Sequence, residues 1–291
     1  MKFRTEITLP PAAFTISHSD KVMMMGSCFV ENISERMIWS GFTVDANPFG
    51  MVYNPASVAS GLWDLIRRKM YTESDLFLHE GVYHSFSHHS RFSGTDNLSV
   101  LKKINAAVAS SSEFLRQAQI LIITFGTATI YQLVSTGQIV SNCHKLPARE
   151  FEEKRLSIEQ ITQVWNDLIR DIRMINPHLN IVFTVSPIRH WKDGAHANQL
   201  SKSVLLLAVN ELIQSHSQCY YFPAYEIVLD DLRDYRFYSD DLVHPNSQAV
   251  DYIWEKFGDA YLDIATKGFV REYEKKQKAL NHRKIINKFN K

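Results

Sequence analysis

The chain has 291 residues, 45% of them hydrophobic and 22% charged, with a formal net charge of +1. That is enough apolar material to bury one sizeable core, and it excludes a disordered polypeptide. Cys28, Cys143 and Cys219 are widely spaced and form no Cys-x-x-Cys pair, which argues against a disulfide framework or a structural zinc site and fits a reducing compartment.

At the N-terminus, Lys2, Arg4 and Glu6 interrupt any apolar stretch of the length that a signal peptide or membrane span needs, so a cytoplasmic chain with no membrane span is expected. Residues 21–25 read as a strand running into Gly26-Ser27. Residues 28–39 then place Phe29, Ile33 and Met37 at spacing four, giving a strand, a tight turn and an amphipathic helix. A second short strand at 41–44 leads into a loop at 46–50, and residues 55–70 read as helix. Residues 71–95, rich in His, Ser and aromatics, show no usable period and are read as a long connection of the kind that often carries function.

Residues 96–118 are helical by pattern. The run 119–124 is continuously apolar, as expected of a strand buried on both faces of a parallel sheet. A hairpin-like stretch at 129–140 turns at Thr136-Gly137. Ser157 with Gln160 makes a capping box for a helix through residue 175, stopped by Asn176-Pro177. A fourth strand at 180–185 ends in Ser186-Pro187, a helix covers 196–215, and a fifth strand covers 219–222. Pro245 is read as opening a helix that runs to about residue 266. Residues 267–291 hold nine Lys/Arg and two Glu, a tail of +7 against −6 for the remainder. A solvated terminal helix accounts for that tail, and no nucleic-acid partner is expected.

Strands alternating with helices imply right-handed crossovers. The fold expected is α/β: a three-layer α/β/α sandwich with an open, mostly parallel five-stranded sheet of flavodoxin-like type, forming one domain over residues 1–266 with the tail after it. Sites in such sheets form in the crevice beyond the carboxyl ends of the strands. Asp241 and His244, three apart, supply a carboxylate that can orient an imidazole acting as base. Ser27, on a strand-to-helix turn, supplies a hydroxyl beside the N–H groups of a helix start. Together they read as nucleophile, base and orienter. Cys28, at the first helical position, is expected to pack inward as a small apolar residue; it is also the alternative nucleophile, since a thiolate at a helix start is favoured by the dipole. Arg189 and His190, after the fourth strand, should face the crevice, where Arg189 could hold a carboxylate or phosphate or could pair with a nearby acid. His79, His84, His88 and His89 are candidate metal ligands by composition, but substrate binding or loop packing is the favoured reading and no metal or other cofactor is expected.

The run of motifs from Gly26-Ser27-Cys28-Phe29-Val30 through "NPFGMVYNP", "TFGTATIY", "NCHKLP", "VSPIRH", "YFPAYEI" and "LRDYRFYSDDLVHPN" resembles the GSCFA family over about residues 21–257. That family is in turn similar to the SGNH (GDSL-type) hydrolases. The resemblance implies Ser27 as nucleophile, its own N–H and that of Gly50 as oxyanion donors, and Asp241 with His244 as the base pair. The third block departs from the pattern, because Gly126-Thr127-Ala128 offers no asparagine. Thr127, Asn142 or His144 would have to supply that donor. The function expected is a serine esterase or acyltransferase acting on an O-acyl ester of a small-molecule or carbohydrate-like substrate. Its rivals are a non-catalytic protein binding a glycan or acidic ligand, and a metal-dependent phosphoesterase built on the histidine loop.

Overall fold

The structure, a computed structural model, describes residues 4–289, with side chains described as far as Leu280. Its centre is a five-stranded parallel sheet of β1 (Lys21–Gly26), β2 (Thr43–Ala46), β3 (Ile120–Phe125), β4 (Asn180–Val185) and β5 (Cys219–Tyr221), in the spatial order β5-β4-β3-β1-β2. This is the flavodoxin-like order expected, and all five strands are parallel.

The two faces of the sheet are covered by different helices, which the strand sequences enforce. Successive side chains alternate between faces, so Met23 and Met25 of β1 join Leu121, Ile123, Ile181 and Phe183 in one cluster. Val22, Met24, Ile120, Ile122 and Val182 join the other. Over the first face lie α2 (Pro55–Arg67), α3 (Asn97–Gln117), α4 (Ile158–Ile175) and α5 (Ala195–Ser215). Over the second lie α1 (Cys28–Trp39), α6 (Ser247–Tyr261) and the start of α7 (Ile264–Phe289). The capping box starts α4 as read, with Ser157 Oγ accepting from the Gln160 N–H at 3.2 Å and Gln160 Oε1 accepting from the Ser157 N–H at 2.9 Å.

Three local readings are revised. Pro245 does not open α6: Asn246 caps it, its Oδ1 accepting from Ala249, and Pro245 instead bridges Tyr238. The helix stops at Tyr261, and Asp263 Oδ1 caps a new one by accepting from the Thr266 N–H at 2.7 Å. The first turns of the basic tail belong to the body of the protein, since Glu274 accepts from Ser40 Oγ at 2.7 Å and Phe269 stacks on His18 with centroids 4.0 Å apart. The long connection at 71–95 is also ordered. It holds the hairpin Phe77–His79/Val82–His84, turned at Glu80-Gly81 with both residues at positive φ. Among the described residues no helix is long and apolar enough to cross a membrane.

Candidate active site

The strand order reverses between β1 and β3, so their carboxyl ends open a crevice and the residues that follow them form its floor. Gly26 closes β1 at φ +148°, and a Cβ there would stand 2.2 Å from the Thr124 carbonyl oxygen of β3. Only glycine permits that approach. Its N–H donates to Asn47 Oδ1 at 2.9 Å, fixing the turn. Ser27 follows as the N-cap of α1, with extended backbone. Serine is favoured at N-caps because its oxygen accepts from the first turn, yet here no such bond forms, and the buried Oγ has no hydrogen-bond partner among the described residues. An unpaired buried hydroxyl costs about 1–3 kcal/mol. It is a hydroxyl left uncommitted.

The loop before α6 brings the second component. Leu242 takes a left-handed turn at φ 59°, and Asp241 Oδ1 accepts from the N–H groups of Val243 and His244, each at 2.9 Å. This curls the segment until Asp241 Oδ2 meets His244 Nδ1 at 2.5 Å. The three N–H donors hold the Asp241 carboxyl down at about 2, the two backbone bonds contributing first. A carboxylate on Nδ1 assigns the proton to that nitrogen and leaves Nε2 as the basic one. Nε2 lies 3.6 Å from Cys28 Sγ. The imidazole that the sequence pairs with Ser27 therefore rests against its neighbour. Burial pushes the Cys28 thiol above its ordinary value, with the N–H groups of Cys28 and Phe29 opposing too weakly to reverse this.

A pocket of about 420 Å³ collects Ser27, Cys28, Thr127, Asn142, Arg189, His190 and His244. Its outer wall is the inserted hairpin, through Thr129, Tyr131 and Val140. Gly126 is why Ser27 and His190 can meet on the floor: a Cβ on it would lie 3.3 Å from Ser27 Cβ and 3.4 Å from His190 Nε2. Burial, with Lys202 and Lys192 adding to it, depresses His190 to about 4, so its ring is neutral near pH 7.

Two residues expected at the oxyanion site lie outside this pocket. Gly50 donates its N–H to the Asn47 carbonyl at 2.7 Å, and its φ of +80° and the His89 side chain pressed against it explain the glycine. His144 is buried on the far side of the hairpin, its Nε2 paired with the Ser85 carbonyl at 2.8 Å and its ring 4.5 Å from that of His84. The Ser27 N–H itself already donates to Thr124, at 3.3 Å. Thr127 lines the pocket, but its Oγ1 is shared with Ser201 Oγ at 3.0 Å. Arg189 makes no ion pair among the described residues; it stacks on Trp191, 5.7 Å from the ring centroid.

The histidine loop is structural in its contacts. His84 Nδ1 pairs with Ser93 Oγ, the fully buried His88 with Ser85 Oγ, and His89 Nδ1 accepts from the Arg91 N–H. Among the described residues no group of three or more His, Cys, Asp or Glu could hold a metal ion.

One residue was missed altogether. Lys202 of α5 is fully buried, and its Nζ donates to the carbonyls of Gly126 at 2.5 Å and Ser186 at 2.7 Å, tying together the ends of β3 and β4 that bear the pocket. The signal was available: Lys202 stands at helical spacing with Leu205, Val209 and Leu212, a charge on an apolar stripe.

The GSCFA family model matches residues 21–257. No curated protein matches the chain. Among solved structures, a family 3 carbohydrate esterase from Clostridium thermocellum is 11% identical, with 87% of this chain and 98% of that one covered and a TM-score of 0.40. A family two carbohydrate esterase from the same organism, in complex with cellohexaose, is 12% identical over 87% of this chain and 65% of that one, with a TM-score of 0.41. A carbohydrate esterase family 3 protein from Talaromyces cellulolyticus is 10% identical over 87% and 99%, with a TM-score of 0.38. Likeness at this level assigns no activity.

Proposed function

Because the chain belongs to the GSCFA family, and six of its seven separated motifs contribute to one pocket, we propose that it is a serine esterase or acyltransferase acting on an O-acyl ester of a carbohydrate-like alcohol. The observation that carries this is the buried Ser27 Oγ, which neither caps its helix nor finds any other partner among the described residues. The Asp241–His244 pair stands over the adjacent residue.

Ser27 Oγ attacks the ester carbonyl, and His244 Nε2 takes its proton. The half-exposed His244 ring turns from Cys28 to Ser27 to do so, while Asp241 holds Nδ1–H and stabilises the imidazolium. The tetrahedral oxyanion is met by the uncapped N–H groups at the start of α1. The neutral His190 donates from Nε2, and Asn142 serves as a further donor, in place of the absent third-block asparagine. Collapse breaks the bond to the leaving alcohol, which takes the proton from His244. Water or a second alcohol then attacks the acyl-enzyme by the same route in reverse.

The 3.6 Å contact between His244 Nε2 and Cys28 Sγ favours a second reading, in which the thiol is the nucleophile. Labelling the intact protein with a fluorophosphonate probe and locating the adduct by peptide mass spectrometry separates the two. The serine reading expects an adduct on Ser27 that survives Cys28→Ala and vanishes in Ser27→Ala and His244→Ala. Loss of turnover in Cys28→Ala with full activity in Ser27→Ala would reverse the assignment.

A further inference from the structure

Beside the pocket lies a second groove of about 380 Å³, bounded by Trp191, Arg233, Tyr235 and Leu242, and the two cavities share Arg189 and Val243. Trp191 is 50% exposed and Tyr235 73%, aromatic faces offered to solvent next to a candidate reaction centre. Neither Arg189 nor Arg233 has an ion pair or a side-chain hydrogen bond among the described residues. The groove's one carboxylate among the described residues is already engaged: Asp234 accepts from the Arg236 N–H at 2.9 Å and faces Arg236 Nε at 3.6 Å. The groove therefore presents two guanidinium groups with no carboxylate partner among the described residues, Arg189 lying over one face of Trp191.

Guanidinium groups match carboxylates in planar, two-point geometry, and the aromatic faces accept the apolar C–H face of a pyranose ring. Arg189 borders both cavities, so a molecule with its ester over Ser27 and its next ring in the groove must pass it. We propose that this groove is a subsite for a carboxylate-bearing pyranose, a hexuronate-type sugar, on the alcohol side of the ester. Its place in an ester substrate rests on the esterase reading. The groove's own affinity for the acidic sugar does not.

The test uses the full chain in two arms. In the first, Ser27→Ala protein is titrated by calorimetry with an unacylated hexuronate oligosaccharide, a neutral hexose oligosaccharide of equal length, and inorganic phosphate. The hexuronate should bind and the neutral sugar and phosphate should not, with affinity falling about tenfold or more in added Arg233→Ala or Tyr235→Ala and weakening with salt. In the second, turnover of p-nitrophenyl acetate by the wild type should be unchanged by Arg233→Ala. Equal binding of the neutral sugar, competition by phosphate as strong as by hexuronate, or affinity indifferent to both exposed substitutions would overturn the subsite. Absent turnover with hexuronate binding intact would retire the esterase and leave the groove as the ligand site of a binding protein.

Discussion

Replacing Gly26 by alanine tests the placement of the nucleophile directly. The added Cβ would stand 2.2 Å from the Thr124 carbonyl oxygen, about 1 Å inside ordinary contact, and both atoms belong to paired backbone at the Gly26–Thr124 rung. No side chain can swing aside to relieve this. The φ of +148° adds about 1–3 kcal/mol for a residue with a Cβ, and forcing β1 and β3 apart adds about 1–3 kcal/mol more. A loss of about 2–6 kcal/mol is expected, a large share of the roughly 5–15 kcal/mol that a domain has. In urea equilibrium unfolding the midpoint should fall by about 1 M or more at unchanged slope, and any folded fraction should lose labelling at Ser27. Gly268→Ala is the control: it lies in α7 with nothing within 4 Å of the added atom, and should be neutral or stabilising by up to about 1 kcal/mol. A Gly26→Ala midpoint within about 0.3 M of wild type, with labelling intact, would refute the close-approach argument.

The Asp241 carboxyl, held at about 2 against an ordinary 3.8, should stay ionised through the whole acid limb of activity. Whatever it contributes to stability is present above pH 3.8 and lost only as pH falls through about 2. A carboxyl carbon titrating near 4 by NMR would contradict this, and Asp241→Asn should cut kcat about 10³–10⁴-fold if the pair acts as argued. Lys202 sits at about 7 against an ordinary 10.5 because burial penalises its charge, so between these values the unfolded chain holds a proton that the native state lacks. Unfolding free energy of wild type minus that of Lys202→Met should therefore rise with pH from about 7 to 10, and a flat difference would refute the shift. His190→Ala should lower kcat about 10²–10³-fold with KM little changed and with no new ionisation between pH 5 and 8; a large rise in KM alone would make it a ground-state binding residue. Ser157→Ala, which breaks the capping box of α4, should cost about 1 kcal/mol, read as a lower Tm with activity intact.

The sheet was legible because its strands are short apolar runs ending in Gly-Ser, Phe-Gly and Ser-Pro, and because the capping box of α4 stands where its chemistry requires. The Asp241–His244 pair was legible for the same reason: a spacing of three within a loop is a local fact. What depended on tertiary approach was not. The side chain facing His244 is decided by the rotation of α1 against the loop before α6, over 216 residues of separation, and the adjacent Ser27 and Cys28 differ by about 100° around a helix start. Gly50 fits the family's pattern by position, but its N–H is consumed by the turn that Asn47 makes. The hairpin at residues 77–84 has strands of three residues each, too few for alternation to register. Lys202 escaped because a lysine in a helix reads as surface until the stripe it interrupts is traced to the core.

The three consecutive methionines of β1 have one more implication. Met23, Met24 and Met25 are no more than 1% exposed on an interior strand of the sheet, whereas Met70 and Met174 are 71% and 80% exposed. Thioethers convert readily to sulfoxides where oxidant reaches them, so peroxide should mark the two outlying methionines at once and the strand only when the whole sheet opens. The ratio of sulfoxide in the two sets, read from peptide masses, gives the protein an internal clock for global opening, running in the strand that ends at the proposed nucleophile.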